Sequence, residues 1–279
     1  METQETFRNL VFFFVLAFAL SWLLWLPQVL DSNGWVELPD WVGLFGMFAP
    51  FGPSIAALWL TGRQSGRAGI KRLLRRGWSL DVNRWWLVPM ALLMPATSLV
   101  TLALMGALGL PVEWQYGQPW QAWGFVFVQV LLLNALAEEV GWRGYALGRM
   151  LGRSSALAAS LILGALWGLW HLPLHLIEGT VQSAIPVYEF VLQQMVLAVY
   201  YTWLYNHTRG SVLVAILFHA LANVVGAAVP TWATSEGRWV GFAVQLVFAI
   251  GIVAIWGPRH LSRSATGRFQ PAPDETAVL

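Results

Sequence analysis

Cysteine is absent from the 279 residues. That excludes disulfides, thiolate-ligated zinc and a cysteine nucleophile, and leaves the redox compartment open. Charge is scarce: 11% of the residues are charged, against about 25% in a soluble domain. Aspartate occurs only at positions 31, 40, 81 and 274. None of these lies inside an apolar run, so a pair of intramembrane aspartates is excluded. There is no HExxH, which rules out a zinc protease built on that helix. There is no GxSxG elbow, and no apolar run sets a serine convincingly beside a histidine. No internal repeat and no polar path along the chain supports a transporter of two half-structures. Basic residues are confined to short loops and the tail, so no surface suits nucleic acid.

Apolar residues are what the chain has in abundance. It is 57% hydrophobic, with 18 Trp and 15 Phe, the aromatic excess expected where rings sit at membrane interfaces. A bilayer core needs a helix of about 20 apolar residues. Eight stretches qualify as spans: 10–30, 42–61, 85–108, 122–138, 157–176, 188–205, 211–230 and 239–257. The expected fold is therefore all-α, a polytopic membrane protein of about eight transmembrane helices forming one integral domain over 1–279. The first stretch starts with Glu2 and Glu5, is longer than a signal-peptide core and has no small-residue cleavage site, so it is read as a span.

Charge sets the orientation. The loop from 61 to 84 carries Arg63, Arg67, Lys71, Arg72, Arg75, Arg76 and Arg84 and should face the cytoplasm. Counting outward places both termini inside, with Arg143, Arg149, Arg153, Arg209, Arg259, Arg263 and Arg268. Asp31, Glu37, Asp40 and Glu113 fall outside, and Arg238 alone breaks the pattern. Residues 66–76 read either as an amphipathic helix on the lipid surface or as a solvated charged loop. Residues 258–279 read as a flexible cytoplasmic tail.

Three places break the rule that charge avoids lipid. "NALAEEVGWRG", 134–144, puts Glu138, Glu139 and Arg143 at the end of the fourth stretch. Residues 139 and 143 are one helical turn apart, so Glu139 can pair with Arg143, while Glu138 points about 100° away. A carboxylate without a partner is costly in a membrane and suits a general base. "GLWHLPLH", 168–175, sets His171 before Pro173. That proline conflicts with the carbonyl of residue 169 and should bend the helix, as happens beside cavities in membranes; His175 reads as a structural histidine. "LFHALANVVG", 217–226, sets His219 and Asn223 on one helix face, able to offer an imidazole and an amide to developing negative charge. Glu138 lies nearer the inner end than His171 and His219, so a funnel facing the cytoplasm would have to bring them together. Packed helix-interface histidines and an interfacial ion cluster are the alternative explanation of the same residues.

These motifs resemble the CPBP intramembrane metalloproteases, the group of Rce1-type CAAX prenyl endopeptidases and bacterial Abi proteins. "EEVGWR" fits EExxxR and "HALAN" fits HxxxN. The middle motif places an aromatic, usually Phe, four residues before a histidine; here Trp167 precedes His171, a change expected to alter packing more than chemistry. The resemblance implies a kinked-helix catalytic core within 122–230, with Glu138 as the catalytic glutamate and Glu139 and Arg143 as its supporting pair. It implies His171 as the water-activating histidine and His219 and Asn223 as stabilisers of the oxyanion. The implied activity is an intramembrane endopeptidase acting on a membrane-associated or lipid-modified substrate, with CAAX-type processing as one form. The alternative is a membrane scaffold or bacteriocin-immunity protein of the same fold. No cofactor is required by the residues; a divalent metal such as zinc stays open, with water held by Glu138 and His171 alone preferred. The expected location is a bacterial-type inner membrane.

Overall fold

The computed structural model describes residues 2–78, 82–112, 120–229 and 231–263. Its order is α1 (Glu2–Ser32), a 3-10 segment (Asp40–Phe51), α2 (Gly52–Arg76), α3 (Leu87–Ala107), α4 (Trp120–Val130), α5 (Leu136–Gly141), α6 (Gly148–Leu151), α7 (Ala156–Trp170), α8 (Val187–His207), α9 (Val212–Ala228) and α10 (Ser235–Trp256). Each of the eight expected stretches falls on a helix. Among the described residues, however, six helical segments are long and apolar enough to cross a membrane: Phe7–Ser32, Trp41–Arg76, Arg84–Ala107, Ala122–Leu151, Ala156–Leu176 and Ser235–Trp256. Val212–Ala228 is apolar but shorter. α8 is outside the set although it has 21 residues. Almost all of it from Gln194 to Asn206 is buried in protein, so little of its sequence has to suit lipid.

Local chemistry starts and stops these helices. Ser155, Ser211 and Thr234 cap α7, α9 and α10, each accepting the backbone N–H three residues on. α7 ends at Trp170, and the chain tightens into a 3-10 turn from Leu172 to Leu176, as Pro173 requires. Trp22 on α1 donates its indole N–H to the Trp170 carbonyl at 2.9 Å, satisfying an acceptor that the end of the helix leaves open. Gly164 and Gly168 let α8 approach α7 closely. A Cβ on Gly164 would lie 2.6 Å from the Gln194 carbonyl oxygen, and one on Gly168 would lie 2.9 Å from Val191 Cα.

Of the two readings of the stretch 66–76, the structure shows the helix. After a break at Gly66, whose φ is 59°, it is an amphipathic helical segment with Gly69 and Leu73 buried and Arg67, Lys71, Arg72 and Arg75 exposed. Arg76 reaches inward to the carbonyls of Gly144 and Gly210 and to the Tyr205 hydroxyl. At the other end of the chain, residues 258–263 rest on the bundle. The carbonyls of Pro258 and Arg259 accept the first N–H groups of α7, from Leu157 and Ala156, and Leu261 is fully buried. Uncapped N–H groups at a helix start attract such acceptors. Residues 264–279 lie outside the described residues.

Candidate active site

The two glutamates sit in a short α-helical piece flanked by wider π turns, Leu131–Ala135 before it and Trp142–Leu147 after it. Such turns free backbone carbonyls and re-aim side chains. Ser54 on α2 donates to the Ala137 carbonyl at 2.5 Å. Gly141 allows this close contact: a Cβ there would lie 2.5 Å from the backbone of Pro53.

Within this piece the carboxylates separate. Arg143 Nη1 donates to both oxygens of Glu139, at 2.7 and 2.9 Å, and all three groups are shut away from solvent. His219 Nδ1 donates to the same Glu139 oxygen at 2.8 Å, linking α5 to α9. The Arg143 guanidinium carbon lies 3.7 Å from the Tyr201 ring centroid and 4.5 Å from that of Trp167. Its Nε and Nη2 make no hydrogen bond, and aromatic faces stand against the cation instead. Glu138 takes no part in this cluster. Its Oε2 accepts the Trp167 indole N–H at 2.7 Å.

The histidine hydrogen bonds determine the tautomers. His171 Nδ1 lies 2.8 Å from the Trp167 carbonyl oxygen, which can only accept, so Nδ1 carries the proton and the neutral ring keeps its lone pair on Nε2. His219 Nδ1 faces a carboxylate, with the same consequence. His175 holds the Ile185 carbonyl at 3.0 Å and serves the turn after α7.

A cavity of about 440 Å³ is lined by Glu138, His171, His219 and Asn223. Glu139 and Arg143 are behind its wall. Apolar residues such as Trp25, Leu174, Leu197 and Phe242 make much of the lining, with Asn134 and Ser98 among its polar groups. The six residues singled out in the sequence thus divide into four that face the cavity and two that brace them. The sequence reasoning missed Tyr201 and Asn134. It also missed that Trp167 bonds directly to Glu138, a contact with the site's chemistry beyond the change in packing expected of Trp in place of Phe.

The cavity continues past Ile185 and Glu189 to Thr231, Trp232 and Arg238. There Arg238 Nε is 2.5 Å from Glu189. This is the end of the bundle where Ser32 meets Glu178 and Asn33 meets Leu176. Arg76, Gly144 and Gly210 gather at the other end. The lining residues thus extend toward the helix starts at 187 and 235, away from the Arg-rich segment.

Residues 118–225, which include all six motif residues, match the family described as type II CAAX prenyl endopeptidase Rce1-like. Over that stretch the chain is similar to the Rce1-like family. A CAAX prenyl protease 2 from Methanococcus maripaludis is 28% identical over 228 residues, covering 76% of this chain and 82% of the relative. Ionisable groups within a membrane are costly and are kept for function. As to a metal, Glu138 and the two Nε2 atoms are chemically suitable donors. Among the described residues, however, no group of three or more His, Cys, Asp or Glu is gathered closely enough to hold an ion.

Proposed function

We propose that this Rce1-like protein cleaves a peptide bond of a membrane-associated or lipid-modified substrate with water that Glu138 deprotonates. The observation that carries the reading is the division of two adjacent carboxylates. Glu139 is spent on Arg143 and His219, whereas Glu138 faces a cavity that it shares with His171, His219 and Asn223. Water between Glu138 and His171 Nε2 loses a proton to the carboxylate as its oxygen bonds to the scissile carbonyl carbon. The carbonyl electron pair moves onto oxygen. Asn223 donates its amide N–H to that oxyanion, beside the His219 ring that Glu139 holds in place, an interaction strongest in a dry site. As the tetrahedral carbon collapses, the C–N bond breaks and the proton held by Glu138 passes to the departing amine.

The size of the cavity is within the range of ligand pockets, roughly 300–1,000 Å³, and its apolar wall suits a lipid-bearing peptide. The name of the Methanococcus relative makes a prenylated CAAX peptide the first substrate to try. The location proposed is a bacterial-type inner membrane, crossed eight times with both termini cytoplasmic; α8 and α9 would cross as the helices most enclosed by others. The test is cleavage of a quenched-fluorescent prenylated CAAX peptide by purified protein. Glu138→Gln should lose on the order of 10²–10⁴-fold in turnover while its unfolding temperature stays at the parental value. Parental turnover in that variant would remove Glu138 as base, and a parent that cuts no peptide would favour the scaffold alternative. Full activity after exhaustive chelation would support water held by protein groups alone; loss restored by one divalent ion, zinc being the first to try, would bring a metal into the site.

A further inference from the structure

Trp167 touches Glu138, His171, Arg143, Tyr201 and His219. Its carbonyl accepts His171 Nδ1 at 2.8 Å, and its indole N–H donates to Glu138 Oε2 at 2.7 Å. Its ring centroid lies 4.5 Å from the Arg143 guanidinium carbon and 5.6 Å from the ring centroids of both Tyr201 and His219. Such a ring, buried in a close-packed wall between α7 and α8, has no freedom to turn. The donor direction of its N–H is therefore set by the helix.

A carboxylate without partners rotates freely about its last bond and presents either oxygen to the cavity. Here one oxygen is held. Among the described residues no other side chain hydrogen-bonds Glu138, so Oε1 is the oxygen left to the cavity. We infer that Trp167 is a positioning residue for the hydrolysis, holding Oε2 so that Oε1 alone meets the attacking water. The inference rests on Glu138 being the base. It is specific to a tryptophan: phenylalanine, the usual residue of the resembling motif, fills part of the same space but has no N–H to donate.

The decisive variant removes the N–H and leaves the shape. Replacing Trp167 with β-(3-benzothienyl)alanine puts sulfur where the indole nitrogen is and keeps the rings against Arg143 and His219. With the prenylated CAAX peptide as substrate, kcat should fall about tenfold or more, as expected when a reacting group is misplaced. KM should stay within about twofold, because the bond acts on the base rather than on substrate binding, and the unfolding temperature should not move. Trp167→Phe should fall between this variant and the parent, since the smaller ring leaves room for a water to donate in place of the indole. A benzothienyl variant with parental kcat would overturn the inference. So would a loss in Trp167→Phe that the benzothienyl variant does not share, which would assign the effect to ring bulk. Glu138→Gln is run beside them: if it retains turnover, the reading of Glu138 as base fails and takes the inference with it, whereas an active benzothienyl variant beside an inactive Glu138→Gln refutes the role of Trp167 alone.

Discussion

Glu139 bears more contacts than any other charged group in the site, with three hydrogen bonds from Arg143 and His219 and no access to the cavity. Its charge is what makes a buried guanidinium tolerable, because a charge taken from water costs several kcal/mol unless paired. Glu139→Gln leaves Arg143 facing a neutral amide with no solvent to replace the loss. We expect about 3–5 kcal/mol of lost stability together with lost activity, read as a lower unfolding temperature beside the peptide assay. The comparison with Glu138→Gln is the informative part, since that change should spare stability. A Glu139→Gln protein as stable as the parent would show that the Arg143 cation is held by Tyr201 and Trp167 rather than by the carboxylate. Of this cluster, the Glu139–Arg143 pair was legible in advance, because a spacing of four residues on a helix is a contact by construction. The bond from His219 was not, since 80 residues separate it from Glu139 and no local rule links them. Nor was the Tyr201 ring: a tyrosine in an apolar helix looks like any core aromatic until the cation is placed beside it.

The helices are continuous in sequence and interrupted in space. The apolar pattern marked the stretch 122–138 as one span, yet a π turn interrupts it, it runs on into a short α-helical piece bearing both glutamates, and a second π turn follows. Periodicity cannot reveal such turns in a chain that is apolar on every face, because a shift of one residue exchanges one apolar neighbour for another. The proline at 173 was informative because its effect is steric and local. At Gly141 the requirement comes from α2, and a methyl group there would overlap the backbone of Pro53. Gly141→Ala should therefore cost about 1–3 kcal/mol, as overpacking does, and should lower activity by moving the piece that carries Glu138. Circular dichroism melts and the peptide assay check both. Unchanged values would mean that α2 can move away without cost, and that the close approach of the two helices does not position the site.

At the scale of the whole molecule, the charge pattern and the cavity lead to opposite sides. The Arg-rich segment near residue 70 is expected in the cytoplasm, and the cavity reaches the other end of the bundle, past Thr231 and Arg238. The absence of cysteine makes this simple to test. A single cysteine at Thr231 should react in intact cells with a membrane-impermeant maleimide, and one at the exposed Ala68 only after permeabilisation. The reverse pattern would turn the protein over in the membrane and put the mouth of the cavity on the cytoplasmic side. Arg238, the one charge out of place in the sequence pattern, is explained by its partner. It pairs with Glu189 across the starts of α8 and α10, where a contact between helices outweighs the rule that distributes loop charges.

The sequence by itself determined the class of this protein and six of the residues that gather at the cavity or behind its wall. Composition and apolar run length decide what can dissolve in a bilayer. Glutamates, histidines and an asparagine in such runs are too costly to be casual, so their positions could be read directly. Tertiary structure alone decided which indole holds Glu138, that His219 binds Glu139, and toward which end the cavity extends. All of these depend on distances between segments far apart in the chain, and those distances are set by close packing at glycines and aromatic rings rather than by any pattern along one helix.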